Sequence, residues 1–151
     1  MMEQQLLKSE VMAFLNISVK NKNGVLRKIE DEHYFGLDEC TRLDLFSFMV
    51  ALGYNSGYPS DFDGAKDSLV REEYTKNNNV CHLYSAIYFH NNKDKVEEVT
   101  DTDKVFALAD KYANTGFSVI EDYMNECSPN ALAMKLLADM DKMYEEYKDS
   151  L

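Results

Sequence analysis

The chain has 151 residues and a net charge of −11, with 16 basic against 27 acidic residues. A length near 150 residues suits one domain that buries about 70% of its unfolded surface, so a core can form without disulfide staples. The acidity excludes a broad basic surface for nucleic acid, and no run of about 20 apolar residues exists to span a membrane as a helix.

The charge is unevenly placed. Residues 94–151 hold 6 basic and 14 acidic groups, a net −8. Such a segment suits solubility, a basic protein partner, or mimicry of DNA. MMEQQLLKSE lacks the basic start and apolar run of a signal peptide. With three widely spaced cysteines, Cys40, Cys81 and Cys127, this points to a reducing, cytoplasmic setting with free and mostly buried thiols.

Apolar spacing predicts a first helix over Gln4–Leu15, broken by Asn16–Gly24. Val25–Glu32 alternates like a strand and is equally readable as a short helix, which leaves open one short extended segment near residues 25–32. Asp38 or Thr41 is expected to cap the next helix, Asp44 standing three residues after Thr41. That helix is apolar on most sides through Leu43, Leu45, Phe46, Phe48, Met49 and Leu52. Gly53 is its expected stop.

Tyr54–Gly64 reads as a loop, Ala65–Thr75 as a short helix, and Val80–His90 as a buried helix with a strand as the alternative. Asp103–Met124 carries the clearest helical periodicity, with Asp101, Thr102 or Asp103 as its cap. A small-residue window, Ala113-Asn114-Thr115-Gly116, lies at its middle. Ser128-Pro129 is expected to open a last helix with the stripe Leu132, Leu136, Met140, Met143 and Tyr147. The sum is an all-α single compact domain of five to seven helices. Its core is expected to hold Phe46, Met49, Leu52, Leu83, Ile87, Phe106, Ala109, Ala113 and Ile120.

No reactive constellation stands out. Zinc ligands come in close pairs, and Cys81-His82, His90, Cys40 and His33 supply no C-x-x-C or H-x-x-x-H. Asp61-Phe62-Asp63-Gly64 lacks the distant glutamate of a calcium loop and reads as a turn. No nucleophile elbow, phosphate loop or H-E-x-x-H occurs. The expectation is a protein that is not an enzyme and needs no cofactor and no metal. Arg71, one of three arginines, stands beside Glu72 and Glu73, as a partner anchor or a surface ion pair.

With these segments read, the order "FMVALGYNSG", "SLVREEY", "LYSAIYF" and "DTDKVFALADKYANTGFSVIEDYM" resembles the small helical accessory proteins of bacterial DNA phosphorothioation (Dnd) and related phage-defence operons. Ala51-Leu52-Gly53 and Lys111-Tyr112-Ala113-Asn114 with Gly116 carry the resemblance, over roughly residues 40–126. It implies a family-like core at 38–126, a variable N-terminal extension at 1–37 and a C-terminal helix at 128–151. It also implies an accessory subunit that contacts a larger ATPase or nuclease, and it carries over no active-site residue. Ala51, Gly53, Ala113 and Gly116 would let two helices approach closely. The expected contact residues are Tyr54, Tyr58, Phe62, Arg71, Glu145 and Glu146, with no direct nucleic-acid binding and no membrane. A homo-oligomer is compatible with the same surfaces. The alternatives are an acidic phage-encoded inhibitor that mimics DNA, and an enzyme built on scattered carboxylates.

Overall fold

A computed structural model describes residues 14–34, 41–77 and 80–150. The expectation of a mainly helical, compact single domain holds: the described residues form six α-helices and one two-stranded ribbon. β1 is Phe14–Ser18. Val19–Asn21, Lys22–Leu26 and Arg27–Asp31 then run on as one helix, α1, whose middle segment is π-helical. α2 is Arg42–Ser56, β2 Lys66–Arg71, α3 Glu73–Asn77 and α4 Val80–Asn91. A 3₁₀ turn at Val96–Thr100 leads into α5, Thr102–Glu126, and α6, Pro129–Ser150.

The axis of the domain is the crossing of α2 and α5. Phe46, Met49 and Val50 from α2 meet the buried α5 stripe of Ala109, Ala113, Phe117 and Ile120. Two glycines set the spacing. A Cβ on Gly53 would lie 1.8 Å from the Tyr112 carbonyl oxygen, and one on Gly116 would lie 2.0 Å from that of Met49. Each helix thus presents a glycine to the other's backbone, and the residue pairing makes the helices antiparallel. Ala113 is buried beside this crossing, whereas Ala51 is exposed and takes no part.

Gly53 is therefore a packing residue and not the end of α2. The helix continues to Ser56, and Gly57, at φ 98°, closes it in the left-handed conformation that glycine adopts freely. At the other end Thr41 is the cap. Its hydroxyl accepts from the Asp44 amide while the Asp44 carboxylate accepts from the Thr41 amide, both at 3.1 Å. Asp38, the rival cap, lies outside the described residues, as does Cys40.

The ribbon corrects two expectations. The extended segment sits at Phe14–Ser18, while residues 25–31 are helical. Of the expected Gln4–Leu15 helix, Phe14 and Leu15 are strand and residues 4–13 lie outside the described residues. Residues 66–71, read as helix, form β2, antiparallel to β1 with Leu15 opposite Val70 and Asn16 opposite Ser68. Leu69 is the extra residue of a bulge, which puts consecutive Leu69 and Val70 into the core.

Asp110 ties β1 to α5. Its carboxylate accepts from the Asn16 amide at 2.9 Å and from Asn16 Nδ2 at 3.0 Å. Burial pushes this carboxyl up to about 6, against the opposing pull of the Asn16 donors. Residues 14–34, assigned to a variable extension, contribute Leu15, Ile17, Val25, Leu26, Ile29 and Tyr34 to the same core.

On α4 the buried face belongs to Tyr84, Ile87 and Tyr88, while Leu83, expected in the core, is 41% exposed. Tyr84 stacks edge-on between Phe46 and Phe106. Its hydroxyl pairs with Ser47 Oγ at 2.7 Å, and burial pushes its ionisation up to about 12. Tyr84 wins the buried face because its ring fills the gap while its polar end is satisfied. Leu52 is half-buried, and so are Cys81 and Cys127, which are free thiols.

Candidate interaction surface

α6 starts as its sequence suggests. The Leu132 amide donates to the Ser128 carbonyl at 2.9 Å, and Pro129 opens the helix. Leu132 and Leu136 are buried. Around them Lys135 pairs with Glu126 at 3.2 Å and lies over the Tyr123 ring. The Tyr123 hydroxyl donates to Asp139, and that bond, with some burial, pushes the tyrosine up to about 12. One further tie is polar: Asn55 Nδ2, at the end of α2, donates to Met143 Sδ at 3.1 Å.

Beyond this root the Asn55–Met143 bond is the one polar tie to another element among the described residues. Every residue from Met140 to Ser150 is exposed. The expected stripe is therefore half right: Leu132 and Leu136 enter the core, while Met140, Met143 and Tyr147 do not. Exposed apolar side chains gather on this helix as on no other described element. Leu137 is 55%, Met140 50%, Tyr144 62% and Tyr147 63% exposed. With Ala133, also exposed, they recur at spacings of four, three, four and three. That is a seam along one side of the helix.

Glu145 and Glu146 are exposed on the same helix. They lie about 120–140° around it from the seam, so they flank its back. Asp141 and Lys148 border it more closely. Sequence reasoning named the charged pair and missed Leu137 and Tyr144, although their seven-residue repeat was present in the chain.

The loop after α2 is held down and not splayed. Thr115 Oγ1 meets Ser60 Oγ and the Tyr58 carbonyl, the Ser60 amide donates to the Lys111 carbonyl, and Asn114 Nδ2 donates to the Asp61 carbonyl. Lys111 also pairs with Asp61 at 3.0 Å. The KYANTG segment thus clamps the loop. Tyr54, expected to be exposed, is half-buried in the last turn of α2. Its hydroxyl meets His90 Nδ1 at 2.7 Å and its ring stands edge-on to Tyr112. Phe62 is half-buried under Lys66. Tyr58 alone of the three projects, 58% exposed.

Arg71 lines a separate cleft of about 450 Å³ with Phe14, Arg42, Leu43, Leu69, Val70 and Tyr74. Both arginines are engaged there. Arg42 forks onto Glu30 at 3.0 and 3.3 Å, and Arg71 reaches Glu73 at 3.5 Å. Exposed pairs of this kind contribute little stability, and they occupy both arginines among the described residues that line the cleft. The structure does not bring Arg71 together with Tyr58 or with Glu145 and Glu146 on one common element.

Among the described residues no three of His, Cys, Asp and Glu gather in a way that would hold a metal ion. No described helix is long and apolar enough to cross a membrane. Comparison with protein-family models, with curated proteins and with solved structures finds no match.

Proposed function

We propose that this chain is a non-catalytic accessory or adaptor subunit that acts by holding a larger protein, in a bacterial anti-phage defence complex of ATPase or nuclease type. The observation that carries the contact part of this reading is the distal half of α6. A rooted helix that leaves five large apolar side chains, Met134, Leu137, Met140, Tyr144 and Tyr147, at least half in water gains free energy when a partner covers them, at about 25 cal/mol per Å². The setting rests on the resemblance of the 40–126 segment to the Dnd-associated accessory proteins. The net −11 charge supports a protein partner over duplex DNA.

The test is isolation of the tagged chain from its source cell after nuclease treatment. One larger protein at fixed stoichiometry is the expected result. A chain that sediments alone at cellular concentration, or that binds duplex DNA at submicromolar concentration and physiological salt, overturns the proposal. The same charge keeps the DNA-mimic reading as its rival. That reading requires the partner to be released by competing DNA.

A further inference from the structure

We infer that the α6 seam is occupied by an amphipathic helix of the partner whose flanks carry Lys and Arg. This rests on the adaptor reading above and names the kind of segment that docks. Ala133, Leu137, Met140, Tyr144 and Tyr147 follow the alternating four–three spacing that keeps one stripe facing a second helix as both wind around each other. At 1.5 Å per residue the seam is about 21 Å long. A loop or a flat surface has no use for that period; a helix laid alongside does. Met and Tyr are also residues that interfaces favour, the tyrosine hydroxyls staying wet at the rim.

Charge then selects among helices. α6 carries five acidic residues, Asp139, Asp141, Glu145, Glu146 and Asp149, against Lys135, Lys142 and Lys148. A second copy of the chain would bring another −11 to the same place. A helix that lies on an anionic bilayer has a Lys- and Arg-rich polar face, and this one is acidic. Asp141 and Lys148, which border the seam, cancel, so it is the charge of the whole domain, −11, that attracts a basic helix and repels both of these. Glu145 and Glu146, on the back of the helix, steer the encounter and do not touch the occupant.

The test uses the full chain and three synthetic peptides of about three heptads. One has Leu at the seam positions with Lys and Arg on the flanks. The second replaces those flanks with Glu, and the third scrambles the basic sequence. Calorimetry and amide shifts at physiological salt give the readout. The basic peptide should bind at least about tenfold tighter than either control, a difference of about 1.4 kcal/mol. Its shifts should centre on residues 133–148. Leu137→Glu with Tyr144→Glu, and separately Tyr147→Ala, should weaken it at unchanged circular dichroism. Glu145→Lys with Glu146→Lys should slow association most at low salt.

Equal binding of the scrambled or the acidic peptide overturns the inference, as does no binding of the basic one. A dimer lost on Leu137→Glu, or capture by vesicles of anionic lipid, assigns the seam to another occupant and also overturns it. If the native complex forms and survives Leu137→Glu with Tyr144→Glu, this inference fails and the adaptor reading stands. If no native complex exists, the adaptor reading fails whatever the peptides do.

Discussion

Replacing Gly116 with alanine adds one methyl group where the backbone of α2 already stands. The new carbon would lie 2.0 Å from the Met49 carbonyl oxygen, 2.7 Å from its carbon and 2.8 Å from its Cα. All three are backbone atoms, so no rotamer change relieves the overlap. Relief needs more than about 1 Å of separation between α2 and α5. A gap of that size forfeits a quarter to a half of each dispersion contact across the seam, among them those of Phe46, Val50, Ala113 and Phe117. Overpacking of this kind costs about 1–3 kcal/mol and more where backbone must move. Against it stands about 1 kcal/mol of helix propensity that alanine gains over glycine. With backbone forced to move, the expected net loss is at least about 2 kcal/mol, read as a lower urea midpoint at unchanged slope, with a melting temperature lower by at least about 4–8 °C for a chain of this size.

Gly53→Ala, whose carbon would lie 1.8 Å from the Tyr112 oxygen, should cost at least as much. The double variant should lose less than the sum, because both force the same pair of helices apart. Gly24→Ala is the control: nothing lies within 4 Å of the added carbon, and stability should rise by up to about 1 kcal/mol. A Gly116→Ala protein as stable as the parent, or more so, would refute the close crossing. Gly116→Leu would then be tolerated as well.

Phe106→Ala should cost about 3–5 kcal/mol in chemical unfolding, since its ring is buried edge-on against Tyr84. Asp110 gives a pH signature. Its folded value of about 6 lies above the ordinary 3.8, so its contribution is fully present below about pH 4 and is lost as pH rises through 6. Between about pH 5 and about pH 7.5 the parent should lose about 1–1.5 kcal/mol more than Asp110→Asn; parallel pH profiles would dismiss the burial argument. Glu145→Lys with Glu146→Lys, and separately Tyr58→Ala, should shift the unfolding midpoint by less than about 0.5 kcal/mol while weakening the native complex. Capture of the partner unchanged by both would remove Tyr58 from the contact surface and Glu145 and Glu146 from its electrostatic steering.

Helices with a sustained period and a cap were legible. Asp103–Met124 was read correctly because one side of it alone is apolar, and Thr41 and Ser128-Pro129 announce their helices locally. The ribbon was not legible. Lys66–Arg71 owes its extended form to β1, fifty residues away, and the bulge at Leu69 erases the alternation that marks a strand. Gly53 and Gly57 look alike in sequence. Only the approach of the Tyr112 carbonyl to one and the positive φ of the other separate their roles. Leu83 and Tyr84 could not be ranked on a helix apolar all round. On α6 the apolar stripe was visible, but where the root ends and the free seam begins depends on the neighbours Tyr123 and Asn55.

The bond between Asn16 and Asp110 spans 94 residues. On a ribosome adding about 5–20 residues per second, Asn16 is made some 5–20 s before its carboxylate partner exists. β2 follows about fifty residues after β1 and α5 later still, so β1 waits first for its strand partner and then for Asp110. The two glycine contacts join α2 to α5 on the same schedule. Completion of residues near 116 is therefore the event that lets the domain close, and a pause upstream of it would prolong the exposure of Leu15 and Ile17 to other chains.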